Sequence, residues 1–155
     1  MVAGNLIDNA AAGISITNLD QGGQLAVCSG NIVRNVTLRS PTNPDVHPYG
    51  IYAEAETTIT GNTVENIAGP GIVAGNGPYL RNVVISDNIL SGADTGIAVS
   101  VADKAGTVLI ANNLIAEAKA GAIVGMAWDK VVDSTLDTDA GPYGNVTVMG
   151  NIVTP

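Results

Sequence analysis

Short stretches of alternating apolar and polar residues recur along the chain, and each leads into an Asn. Five positions before that Asn stand Ala26, Thr57, Val83, Val108 and Val146; three before it stand Cys28, Ile59, Ile85, Ile110 and Val148. A period of two over four or five residues predicts a strand with one buried face. Two mostly aliphatic residues follow the Asn, as in Asn31-Ile32-Val33, Asn88-Ile89-Leu90 and Asn151-Ile152-Val153, and start a second strand. Eight or nine residues beyond it come a Gly and an aliphatic residue: Gly13-Ile14, Gly71-Ile72, Gly96-Ile97, and Gly121 with Ala122-Ile123. Gly50-Ile51 fits the same slot, displaced by extra residues.

The marker residues Asn5, Asn31, Asn62, Asn88, Asn113 and Asn151 are separated by 26, 31, 26, 25 and 38 residues. The two long intervals contain insertions at 38–49 and 126–145. A unit of about 25 residues with three short strands and no helical period is one coil of a parallel β-solenoid. Six coils at roughly 4.8 Å per rung would stack to about 29 Å. Asn suits the bend between strands because it tolerates left-handed backbone and its amide stacks up a ladder, so the Asn column is read as structural. The Gly of each Gly-Ile pair marks positive φ or close backbone approach. Residues 1–155 are expected to form one solenoid domain. Because the chain opens and closes on a repeat, it is expected to be a segment of a longer solenoid or to stack against another chain at an end.

Composition narrows the partners. Hydrophobic residues make up 46% of the 155, yet there is no Phe and charged residues are only 13%, so disorder is excluded and the core must be built from small aliphatic side chains. Fourteen acids against six cations give a net charge of −8. The cations Arg34, Arg39, Arg81, Lys104, Lys119 and Lys130 are scattered, so no stripe exists for a phosphate backbone and nucleic acid is not an expected partner. An anionic polymer would be repelled, whereas a neutral sugar chain would not. No apolar run reaches the roughly 18 residues of a membrane helix, and Met1 to Gly13 does not read as a signal peptide. Cys28 stands alone in a slot held elsewhere by Ile or Val, and reads as a small buried hydrophobe.

Alternation sorts the Gly-Ile strand by face. With the Ile residues inward, Ser15, Tyr52, Val73, Ala98 and Val124 form one outward column, and Thr17, Glu54, Gly75 and Ser100 another. Segments 18–24, 74–82, 101–106 and 126–145 follow this strand and should stack into one wall; insertion 38–49 should rise opposite. The resulting groove is expected to be lined by Asp45, His47, Tyr49, Tyr52 and Glu54 on one side, with Tyr79, Asp103, Trp128 and Asp129 on the other. Rings beside carboxylates suit sugars, so Tyr49, Tyr52, Tyr79 and Trp128 are the ligand-binding candidates. Each has a plainer reading: His47 lies in a turn-forming run, and Trp128 and Tyr143 can simply pin down the long insertion.

Acids 129, 133, 137 and 139 lack the spacing of a calcium loop. No metal site and no cofactor are expected. There is no Gly-x-Ser-x-Gly, His-Glu-x-x-His, Cys-x-x-Cys or phosphate loop.

The pattern Ile-x-Gly/Asp-Asn-x-Val/Leu followed by Gly-Ile resembles the right-handed parallel β-helix repeat of the pectin-lyase-like superfamily over nearly the whole chain. The resemblance implies an all-β, right-handed parallel β-helix of about six coils, on which lyases, hydrolases, epimerases and binding proteins all occur. The paired Asp, Gly-His-Gly and Arg-x-Lys strings of polygalacturonase-like relatives are absent, and no Arg lies near an acid cluster as a pectate-lyase mechanism requires. Gly75-Asn76-Gly77-Pro78-Tyr79-Leu80-Arg81-Asn82-Val83 and Gly121-Ala122-Ile123-Val124-Gly125-Met126-Ala127-Trp128 are similar to bacterial twin-arginine-translocated repeat proteins of unknown function. That similarity implies export in folded form, and so a periplasmic or secreted location.

Two functions remain open on these residues. One is a module that binds or scaffolds a polysaccharide or protein through the groove. The other is a carbohydrate-active hydrolase or epimerase, with His47 or Asp45 exchanging protons and Glu54 or Asp129 as second acid. The column Leu6, Ile32, Ile89, Leu114, Ile152 adds a separate question: either it forms an exposed aliphatic ridge, a contact surface, or the bend buries it.

Overall fold

The computed structural model describes residues 1–18 and 25–155, so segment 19–24 of the expected wall lies outside the described residues. The first coil holds β1 (Val2–Ala3), β2 (Leu6–Ala10) and β3 (Ile14–Ile16); the second holds β4 (Ala26–Ser29), β5 (Ile32–Val36) and β6 (Ile51–Ala53). The third is β7 (Thr57–Thr60), β8 (Thr63–Ile67) and β9 (Pro70–Ala74), and the fourth β10 (Val83–Ser86), β11 (Ile89–Ser91) and β12 (Thr95–Ser100). The fifth is β13 (Val108–Ala111), β14 (Leu114–Ala116) and β15 (Ile123–Ala127). Strand β16 (Lys130–Asp133) follows inside the long insertion, and β17 (Val146–Met149) and β18 (Ile152–Thr154) begin a sixth coil.

First strands of successive coils pair only with one another, forming sheet A; second strands form sheet B and third strands sheet C. Pairing is parallel and in register with the repeat, as in Ile59↔Ile85↔Ile110 in sheet A and Ile51↔Ile72↔Ile97 in sheet C. The protein is a parallel β-helix. Its core is the stack of inward columns: Cys28, Ile59, Ile85 and Ile110; Val33, Val64, Leu90 and Ile115; and Ile51, Ile72, Ile97 and Ile123 are all buried. Side chains of similar size at the same register position stack without gaps, and β-branched residues suit a pleated, buried surface.

The bend between sheets A and B carries the Asn column, with one correction to the sequence reading. The left-handed residue is the one before each marker: Gly4, Gly30, Gly61, Asp87, Asn112 and Gly150 have φ between 56° and 67°. The marker Asn residues are not left-handed. Instead each turns its amide inward, where Asn31, Asn62, Asn88 and Asn113 are buried. Asn62 Oδ1 accepts both the backbone N–H of Asn31 at 3.0 Å and its side-chain amide at 2.9 Å; Asn88 Oδ1 does the same for Asn62 at 2.9 and 3.0 Å. The second amide hydrogen goes to a strand carbonyl, from Asn62 to Cys28 and from Asn88 to Ile59, both at 3.0 Å. The ladder therefore runs from Asn5 to Asn151, with each amide satisfied by neighbouring coils. An unpaired buried amide is costly, so the ladder fixes the register of one coil on the next.

The Gly-Ile corner works by close approach. A methyl group on Gly50 would sit 2.4 Å from the carbonyl oxygen of Gly71, and one on Gly96 2.4 Å from that of Ala122. Only Gly lets the coils stack here. In the fifth coil the same slot is Ala122, where no further parallel third strand follows. There β16 turns back and pairs antiparallel with β15, closing the edge of sheet C. Leu136, just beyond it, is buried in the core cluster.

Candidate functional site

The outward face of sheet C forms the floor of a groove of about 880 Å³. Ser15, Tyr52, Val73, Ala98 and Val124 give one floor column, and Thr17, Glu54 and Gly75 run beside it. One wall is Pro44, Asp45, Val46, His47, Pro48 and Tyr49 from insertion 38–49. The other is Asn76 with Met126, Trp128, Asp129 and Val131 of the β15–β16 hairpin. Ala98, Val124 and Ser100 point outward but are buried, so the inserted segments cover much of this sheet.

The first wall is held where the insertion rejoins the stack. Tyr49 accepts the Gly13 N–H at 2.9 Å, and Pro48 lies so close to Gly69 that a methyl group there would fall 2.0 Å from the Pro48 carbonyl. Ahead of these anchors Asn43 Oδ1 accepts the Asp45 N–H at 3.1 Å, a side-chain turn typical of Asn. His47 is exposed and lies between the groove and a smaller cavity of about 200 Å³ that also includes Arg39.

The second wall depends on a tight hairpin. Ala127 pairs with Lys130, leaving Trp128 and Asp129 as the turn, with Trp128 at φ 55°. The Trp128 ring lies against Gly77: a methyl group on that Gly would meet ring carbons at 2.7–2.8 Å. Ser100 donates to the Gly77 carbonyl at 2.7 Å, tying the same turn down from the next coil. Trp128 therefore both pins the hairpin and lines the groove. Tyr143 packs against the core at the insertion's far end, and its hydroxyl lowers the Asp133 pKa together with the stronger bonds from Thr135.

At the floor, Glu54 is 2% exposed. Its Oε1 accepts the Tyr52 hydroxyl at 2.9 Å, and its Oε2 accepts the Asn18 N–H at 2.6 Å. Burial, then the Glu54 carboxyl, raise the Tyr52 pKa well above that of a free phenol; the Asn76 side chain pulls it back slightly. Tyr52 therefore serves as a neutral donor. Tyr49 lies 5.6 Å away, ring to ring, tilted by 48°.

The groove thus brings together Asp45, His47, Tyr49, Tyr52, Glu54, Trp128 and Asp129. Tyr79 is not among its lining residues: it ends a short 3-10 turn, Gly77–Tyr79, and is partly exposed elsewhere. Asp103 also lies outside it. The sequence places segments 74–82 and 126–145 in this wall but does not single out Asn76, Met126 and Val131 as lining it. Asn76 precedes a Gly-Pro turn and carries no repeat landmark, and the two apolar residues depend on a hairpin without repeat spacing.

The family model for the right-handed β-helix region matches residues 1–115. The chain belongs to that family. The match ends within β14, so it covers the stack as far as the fifth coil and does not reach the β15–β16 hairpin of the second wall. Neither a curated protein nor a solved structure matches the chain.

Proposed function

We propose that this right-handed β-helix binds a neutral polysaccharide in the groove over sheet C. The observation that supports the reading is the Tyr49–Tyr52 ring pair beside the buried Glu54 carboxyl, whose partner Tyr52 is held as a donor. Ring faces take the C–H faces of a sugar while fixed polar groups take its hydroxyls. Among the described residues the lining has three acids, Asp45, Glu54 and Asp129, and no Lys or Arg, which disfavours uronic-acid polymers. Affinity electrophoresis through neutral and acidic polysaccharides tests this. At least one neutral polymer should retard the protein, and Tyr49→Ala should weaken that by about tenfold, the loss of one stacking contact. No retardation by any neutral polymer, or retardation unchanged in the variant, refutes the proposal.

A second reading rests on Asp45 and His47 on one wall with Glu54 in the floor, groups suited to general acid–base chemistry on a glycoside. Reducing-end release by the wild type, lost in His47→Ala, supports it. Equal background release by both removes it.

A further inference from the structure

Sheet B turns a different kind of surface outward. Leu6, Ile32, Thr63, Ile89, Leu114 and Ile152 are in direct register from β2 to β18, one per coil. The residues after the middle four, Val33, Val64, Leu90 and Ile115, are buried in the core, and the column itself points out: Leu6 is 62% exposed, Ile32 46%, Ile89 50%, Leu114 38% and Ile152 59%. Of the two sequence expectations for this column, the exposed ridge is the one observed. It runs the full height of the stack and lies outside the groove over sheet C.

We propose that this ridge is the contact surface for a second copy of the same chain, with two β-helices lying side by side, sheet B against sheet B. The five aliphatic side chains expose on the order of 500 Å², within the roughly 300–600 Å² of the largest apolar patch on a monomeric protein. Two such faces in contact would bury about 1,000 Å², where specific interfaces begin, so the pair is weak and reversible. Charge selects the partner. The chain carries −8, yet the strands of sheet B hold only Asp8, Arg34 and Glu65, and Asp8 is ion-paired with Arg34 at 2.8 Å. This face is thus nearly neutral on a strongly acidic molecule, so two copies meet there with little repulsion, and a twofold pairing sets one ridge on the other.

Sedimentation velocity over a wide concentration range tests the proposal. The expected result is a concentration-dependent dimer that Ile89→Glu weakens at least about tenfold, the effect of a charge in an apolar contact. The triple variant Ile32→Thr, Ile89→Thr, Leu114→Thr should also weaken it, and it guards against misfolding because Thr63 already fills the same column. Far-ultraviolet circular dichroism of both variants should match the wild type. A monomer at every concentration overturns the proposal. So does a dimer that neither variant affects, or a ridge that binds only a different protein.

Discussion

The corner between sheets A and B and the two corners that flank the grooved sheet C are built from the same repeat and behave in opposite ways. At the first, nothing is inserted: the Asn ladder passes through six coils with its bonds closed on neighbouring coils. At the corners beside sheet C, one insertion each breaks the spacing, outward side chains become buried, and the amide nitrogen of Asn18, next to Glu54, is buried without a partner among the described residues. The difference separates two tasks. Uninterrupted repetition supplies stability and register, whereas interruption supplies a concave surface with diverse side chains, the condition for recognising a ligand.

The largest effect is expected at the ladder. Asn88→Ala removes the acceptor for two Asn62 hydrogens and the donor to Asn113 and to the Ile59 carbonyl, all in the buried interior. At about 1 kcal/mol per bond, more where a partner is stranded, the loss is about 3–5 kcal/mol. Urea unfolding at neutral pH reads it directly. Tyr49→Ala on the groove flank should cost about 1 kcal/mol in the same measurement. A ladder variant costing no more than the groove variant would erase the distinction between the ladder corner and the groove flanks.

Much of the first corner was legible in the chain. Asn5 to Asn151 and the inward columns share fixed offsets, because a solenoid must place like residues over like. The left-handed position was read one residue late: Gly30 and Asn31 are adjacent, both favour turns, and only the inward amide of Asn31 shows which one leaves the β region. The flanks of the groove were legible in part. Insertions 38–49 and 126–145 announce themselves by spacing, and topology brings them to one sheet. Burial of Glu54 was not readable, because alternation sends it outward and covering it depends on segments far away in sequence. Strand β16 was equally hidden, since Lys130-Val131-Val132-Asp133 carries no landmark of the repeat.

A smaller effect on the ladder side is visible only in alkali. Cys28 is fully buried beside the Asn31 amide, 3.4 Å from its sulfur, and burial pushes the thiol up to about 11 from 9.0. In the unfolded chain the thiol ionises first, so the unfolded state binds fewer protons there and stability falls as pH rises from 9 to 11. Cys28→Val, which restores the residue type of its column, removes this contribution. Relative to the variant, wild type should lose about 2 kcal/mol between those pH values, with the two curves parallel below pH 8. Curves parallel throughout would mean that the thiol is not held in the dry interior.

A comparably small effect belongs to the groove and has a pH dependence of its own. Tyr52→Phe leaves ring packing against Tyr49 intact and deprives Glu54 Oε1 of its donor, a cost of about 1–2 kcal/mol near neutrality. The folded-state pKa of Tyr52 is raised from 10.0 by burial and by Glu54, so its contribution is complete below about pH 10. Above that the unfolded phenol ionises and the contribution is lost. Wild type should therefore lose stability relative to Tyr52→Phe from pH 10 upward in urea melts, just as it does relative to Cys28→Val from pH 9. The same sign at two residues of one coil, with onsets about one pH unit apart, would show that the ladder corner and the grooved face both hold a titrating side chain away from water. A gap that stays constant to pH 11 would mean that water reaches the phenol and that Tyr52 and Glu54 do not act as a unit.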